Sequence, residues 1–154
     1  MRELTQLHTQ GAGRTDGHDE NGVPGDCFRT ALASLLGCDR PDDVPHFAAL
    51  PQAEWWGAVR DWLQRRGLDL VYVEIDQRAA VLDLWGPQGG LVLVGGPSPR
   101  GAFGHVVVGR WDGSITWDPH PSRDGLAGVT ELFVPVLPYG KDWPFSEITP
   151  VERY

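Results

Sequence analysis

Residues 104–119 read GHVVVGRWDGSITWDP, two β-rich runs hinged on Asp112-Gly113. Valine, isoleucine, threonine and tryptophan suit a pleated surface, and Asp-Gly between two such runs is a strong hairpin signal, read here as a two-residue turn. If Trp111 pairs with Ser114, Val107 lies opposite Asp118 and His105 opposite His120. Opposed residues share a face, which makes His105 and Asp118 diagonal neighbours with Cα atoms roughly 7–8 Å apart, within reach of a side-chain hydrogen bond. A four-residue loop keeps that pairing. A three-residue loop turns the two side chains to opposite faces, so the inference rests on register.

Upstream of the hairpin the period is helical. From Cys27, the positions Phe28, Ala31, Leu32, Leu35 and Leu36 fall on one stripe of a helix, with Asp26 as N-cap and Gly37 as a left-handed stop. A second helix is expected over 53–66, with Trp55, Val59, Trp62 and Leu63 on its buried stripe and Trp56 outside it, and a short one over 79–85. Strands are expected over 68–75, 91–95, 104–111, 114–118 and 131–137. Helices come first and closely spaced strands after, which predicts an α+β fold with an antiparallel sheet. Residues 8–25 are rich in Gly, Thr, Asp and Asn without periodicity, and residues 1–20 read as a loop or a flexible arm.

A chain of 154 residues with 41% apolar and 22% charged side chains is one domain, able to bury roughly 70% of its unfolded surface. The formal charge of −8 disfavours a nucleic-acid backbone or an anionic membrane as the main partner. The first residues lack the apolar run of a secretory signal, and no run reaches the length of a membrane span, so a cytoplasmic location is expected. The two cysteines, Cys27 and Cys38, sit at opposite ends of one helix. They lie roughly 16 Å apart by helical rise, beyond disulfide reach, and both read as free thiols suited to a reducing compartment.

Cys27 falls at the positive end of its helix, where the dipole and a neighbouring imidazolium favour a thiolate. An Asp118 carboxylate on one nitrogen of His105 fixes the tautomer and leaves the other nitrogen to exchange a proton with a thiol or a leaving amine. In chain order, Cys27 at a helix start, His-Val-Val-Val at 105–108 and Asp118-Pro119 resemble the papain-like cysteine peptidases, nearest to the bacteriocin-processing peptidase domains of export transporters. The resemblance spans about 21–137. It implies a papain-like α+β fold with Cys27 as nucleophile, His105 as general acid/base and Asp118 orienting His105. It further implies that Asn21, where that family carries glutamine, donates to the oxyanion beside the Cys27 backbone amide. The blocks at 25–28, 44–47 and 118–122 are also similar to those of small uncharacterised bacterial and phage proteins.

Other readings compete at several of these positions. Cys27, His105, Asp118 and His120 are acceptable zinc ligands by type, but no ligand-spacing motif accompanies them, so neither metal nor cofactor is expected. His120, flanked by Pro119 and Pro121, reads as part of the site wall. Ser98 in Pro-Ser-Pro-Arg-Gly lacks the Gly-x-Ser-x-Gly elbow of a serine nucleophile, and with Arg100 it reads as bordering the substrate cleft. Arg100 is either an anchor for a substrate carboxylate or a solvated charge. The expected function is hydrolysis of a peptide, isopeptide or thioester bond in a peptide or protein substrate. The alternatives are a deamidase or acyltransferase using the same residues, and a binding or structural protein without turnover.

Overall fold

The computed structural model describes residues 1–85 and 90–137 and is an α+β structure. Helix α1 spans Cys27–Leu36, α2 Gln52–Gln64 and α3 Arg78–Trp85; strands are β1 Asp69–Glu74, β2 Leu91–Pro97, β3 Gly104–Arg110, β4 Ile115–Trp117 and β5 Glu131–Val136. The strands form one antiparallel sheet in the order β1-β5-β2-β3-β4. The expected elements are present with ends moved by a few residues. β4 is the shortest, so Asp118 stands one residue beyond it, on the loop that follows.

The valine run of β3 is continuous because both faces of the sheet are covered. Val106 and Val108 pack with Leu93, Phe133 and the α1 residues Ala31, Leu32 and Leu35. Val107 belongs to a second cluster with Val92, Val94, Leu132 and Trp111, which Val81 of α3 and Leu126 and Val129 of a loop help to close. Burying each such aliphatic side chain contributes about 1.5–3 kcal/mol, and β3, the strand that carries His105, lies between both layers.

The hairpin closes differently from the sequence expectation. Arg110 and Ser114 form the closing pair, with the Arg110 amide donating to Ser114 O at 2.9 Å, so the loop has three residues, Trp111, Asp112 and Gly113. Gly113 takes φ 85° there, the left-handed conformation that ends a type I turn in such loops. Gly109 accordingly pairs with Ile115, one residue out of the expected register, but Val108 pairs with Trp117. The extra residue, Thr116, forms a bulge that restores the frame. Two departures cancel, and His105 and Asp118 end up as neighbours.

Residues 1–20 contain no helix or strand yet are tied down along their length. The Arg2 amide donates to Ser34 O, the Gln6 amide to Pro119 O, and Trp117 Nε1 to Leu4 O. This strap covers the face of α1 that the amphipathic reading left to solvent, so Thr30 and Ser34 are buried with the apolar stripe. No helix among the described residues is long and apolar enough to cross a membrane.

Candidate functional site

Cys27 is the first residue of α1, so its backbone amide has no partner within the helix. The approach to it is close-packed. The Gly25 amide donates to Gly17 O at 2.9 Å, and a Cβ on Gly25 would lie 2.9 Å from the same oxygen, so any side chain there forces the two segments apart. Asp26 occupies the N-cap position, but its carboxylate does not cap the helix. It accepts the Leu7 and His8 amides at 3.3 and 3.0 Å and Arg29 Nη2 at 2.8 Å. The expected cap is therefore a buried knot fixing the strap to the helix that begins with Cys27, with the Arg29 cation compensating the Asp26 charge.

His105 Nε2 and Asp118 Oδ1 are 2.7 Å apart, with both side chains almost wholly buried. Asp118 also accepts the His120 amide on Oδ1 at 2.8 Å and the Gly125 amide on Oδ2 at 2.7 Å. Burial alone raises a carboxyl pKa, but the hydrogen bonds from His105 and the two amides outweigh it and hold Asp118 at about 2. Burial likewise acts to lower His105, and the bonds to Asp118 and to Cys27 overcome it, leaving the imidazole above its ordinary value. With Nε2 committed to Asp118, Nδ1 is the nitrogen left for the Cys27 thiol. The hydrogen-bonded His105–Asp118 pair and the Cys27 thiol are thus brought together from a strand, a loop and a helix start.

Arg123 holds that loop. Its guanidinium donates to the carbonyls of Asp118 and His120 and to Thr5 Oγ1, and it lies 3.9 Å over the Trp117 ring. The φ of 57° at Arg123 is an uncommon conformation for a side-chain-bearing residue.

Cys27 and His105 open into a cleft of about 220 Å³ whose walls include Gln6, Gln10, Arg100 and His120. Phe103 lines it too, its ring so close to Gly17 and Gly101 that a side chain at either glycine would meet it. Of the residues marked from sequence, Cys27, His105, Asp118, Arg100 and His120 come together here. Ser98 does not line the cleft: it is buried behind the wall, and its Oγ accepts the Arg100 amide at 3.2 Å. His120 donates to or accepts from Ser122 Oγ at 2.8 Å through Nδ1, and burial together with Arg100 and His105 pushes its pKa down.

Asn21 is displaced from the role the resemblance implied for it. It lies exposed on the turn between His18 and Pro24, its amide bound to Asp19 Oδ1, and it does not line the cleft. The side-chain amides in the cleft are Gln6 and Gln10, neither marked from sequence. Gln6 Nε2 donates to His8 O at 3.1 Å and lies 4.0 Å from where a Gly25 Cβ would stand, beside the approach to Cys27; Gln6 Oε1 is buried without a partner. No periodicity in residues 1–20 points to these glutamines, and their position follows from the strap's bonds to Pro119 and Trp117.

Among the described residues no three His, Cys, Asp or Glu side chains are grouped to hold a metal ion. Comparison with known proteins found no matching family model, no similar curated protein and no similar solved structure.

Proposed function

We propose that the protein is a papain-like cysteine hydrolase that opens an amide or related acyl bond through an acyl-enzyme. The observation that carries this reading is the buried His105–Asp118 pair, with His105 and Cys27, at the start of a helix, lining one cleft. A carboxylate orienting one imidazole nitrogen while the other faces a thiol is the arrangement that acid–base work at a cysteine requires.

In this mechanism Cys27 Sγ attacks the substrate carbonyl, the C–S bond forms, and the π electrons move to oxygen. The Cys27 backbone amide and Gln6 Nε2 receive the oxyanion, Gln6 taking the role the resemblance gave to Asn21. His105 Nδ1 passes its proton to the leaving group as that bond breaks, and Asp118 keeps the ring oriented. Water then gives a proton to His105 and its hydroxyl to the thioester, and the thiol is regenerated with its proton. An incoming amine in place of that water gives acyl transfer. The reaction uses no cofactor.

The test is iodoacetamide labelling across pH, with the modified site located by mass spectrometry, for wild type and His105→Ala. At pH 6 the folded protein should label at Cys27 about tenfold faster than the same residue in the urea-unfolded protein, and His105→Ala should remove the advantage. A rate equal to that of the unfolded protein and indifferent to His105 would mean that the fold binds or supports without turnover.

A further inference from the structure

Arg100 is a cation without adequate compensation. Its side chain is 15% exposed, and its nearest carboxylate is Asp124 Oδ2 at 3.9 Å from Nη1, a separation too long for a hydrogen bond. Nη1 also reaches Ser122 Oγ at 3.4 Å, while Nε and Nη2 are buried with no acceptor. Two other arginines each have a carboxylate at hydrogen-bond distance, although Arg29 Nε is likewise buried without a partner. Arg60 is bidentate to Asp69 at 2.9 and 2.6 Å, and Arg29 bonds Asp26 at 2.8 Å. A guanidinium costs several kcal/mol to bury, recovered only when a partner with matching geometry is present, so donors left over on a buried Arg need an acceptor from outside the protein.

Its position says where that acceptor comes from. Arg100 lines the same cleft as Cys27, His105 and His120, and its own loop, closed by the Ser98 amide donating to Phe103 O at 2.9 Å, forms one wall. Asp16, the carboxylate that also lines the cleft, is engaged by Arg14 through Nε at 3.0 Å and Nη2 at 2.6 Å. The fork of Nε and Nη2 matches the two oxygens of a carboxylate, which reach it from the cleft once the Arg100 side chain turns outward. A protein of net charge −8 repels extended polyanions and so favours a single carboxylate on an otherwise neutral segment.

We propose that Arg100 binds a substrate carboxylate, so that the bond processed at Cys27 lies beside the C-terminus of a peptide or beside an acidic residue. This rests on the hydrolase reading for the bond, but the anion site itself does not depend on turnover.

The test is protection of Cys27 from iodoacetamide, run where labelling is measurable whether or not the thiol is activated. N-acetylglycine represents a C-terminal carboxylate and N-acetylaspartic acid amide the carboxylate of an acidic residue. Each is paired with its neutral counterpart, N-acetylglycinamide and N-acetylasparagine amide. At least one acid should protect at about tenfold lower concentration than its amide, the size of one charge-assisted pair. Arg100→Gln should abolish that preference while Arg100→Lys keeps part of it, and His105→Ala should retain it. The acid that protects identifies the source. Acids no better than amides in wild type, or a preference that survives Arg100→Gln or vanishes with His105→Ala, would overturn the proposal. The wild-type contrast alone decides the matter if the Arg100 variants do not fold. Failure of the hydrolase reading is seen separately, as the absence of His105-dependent activation at pH 6.

Discussion

Two of the histidine–aspartate pairs among the described residues are of nearly equal length. His8 Nδ1 and Asp19 Oδ2 are 2.9 Å apart, and His105 Nε2 and Asp118 Oδ1 are 2.7 Å apart. The first joins two irregular segments at the surface, with His8 stacked on His46 at 5.6 Å and its side chain 33% exposed. The second joins a central strand to a loop pinned by Arg123, is almost wholly buried, and has a thiol on its far side. Distance does not distinguish them. What differs is whether water screens the pair, how many other donors fix the carboxylate, and whether the second ring nitrogen meets a group that chemistry can use.

The largest expected divergence is in stability. Asp118→Ala leaves His105 and the His120 and Gly125 amides without their acceptor in the interior, and breaking a buried pair of this kind costs about 3–5 kcal/mol. Asp19→Ala breaks a solvated pair and two turn bonds, for a much smaller loss. Urea denaturation of both variants measures the gap, and equal losses would erase the distinction between the pairs.

Acid weakens both pairs, because both carboxyl groups are held below their ordinary value, and the buried one is the easier to follow. The folded pKa of Asp118, about 2, lies below the unfolded carboxyl value, so its contribution is fully present above about pH 4 and lost as pH falls towards 2, about 2 kcal/mol in all. Asp118→Asn should flatten that limb of a stability–pH profile. The His105 contribution runs the other way, because its folded pKa is raised. It is fully present below about pH 6.5 and lost as pH rises through the folded value.

A smaller effect sharpens the role of the loop. Arg123→Met removes the guanidinium's bonds to the Asp118 and His120 carbonyls and to Thr5, and should cost about 1–2 kcal/mol. Hydrogen exchange at the Gly125 amide should accelerate while that at Val23, beside Asp19, stays unchanged. Uniform acceleration would mean that Arg123 supports the whole fold rather than this loop.

The finest test reads the imidazole itself. In a histidine NMR titration, Cys27→Ala should lower the His105 midpoint, because the thiol is one of the two groups that raise it, and Asp118→Asn should also lower it. A midpoint that rises in Cys27→Ala would separate the thiol from the pair.

The sequence carries the buried pair more clearly than its surroundings. Five strands and three helices follow from periodicity, and the adjacency of His105 and Asp118 follows from counting outward from Asp112-Gly113. That count reached the right neighbours through a wrong loop, since the three-residue turn and the bulge at Thr116 offset each other. Asp26 looked like a cap because its position is that of one, but side-chain direction is set by Arg29 and by strap amides far away in sequence. The strap itself has no period to read, which is why Asn21 stood in for the glutamines that reach the cleft. Arg100 could be marked as a loop cation, but its unpartnered donors exist only once Ser122 and Asp124 are folded against it.

The strap also has a consequence for biosynthesis. Leu4 is held by Trp117, 113 residues later, and Thr5 by Arg123, 118 residues later. Residues that leave the ribosome ahead of α1 therefore wait for the Asp118 loop before they can settle. Helix α1 can form early, since its ladder is local, but Gln6 and that loop reach Cys27 only afterwards. Contacts of such sequence separation make closure a late and slow step. A nascent polypeptide that stops short of His105 thus carries the thiol without the imidazole, the carboxylate or the cleft, and these meet it only after the loop that bears Arg123 has been made.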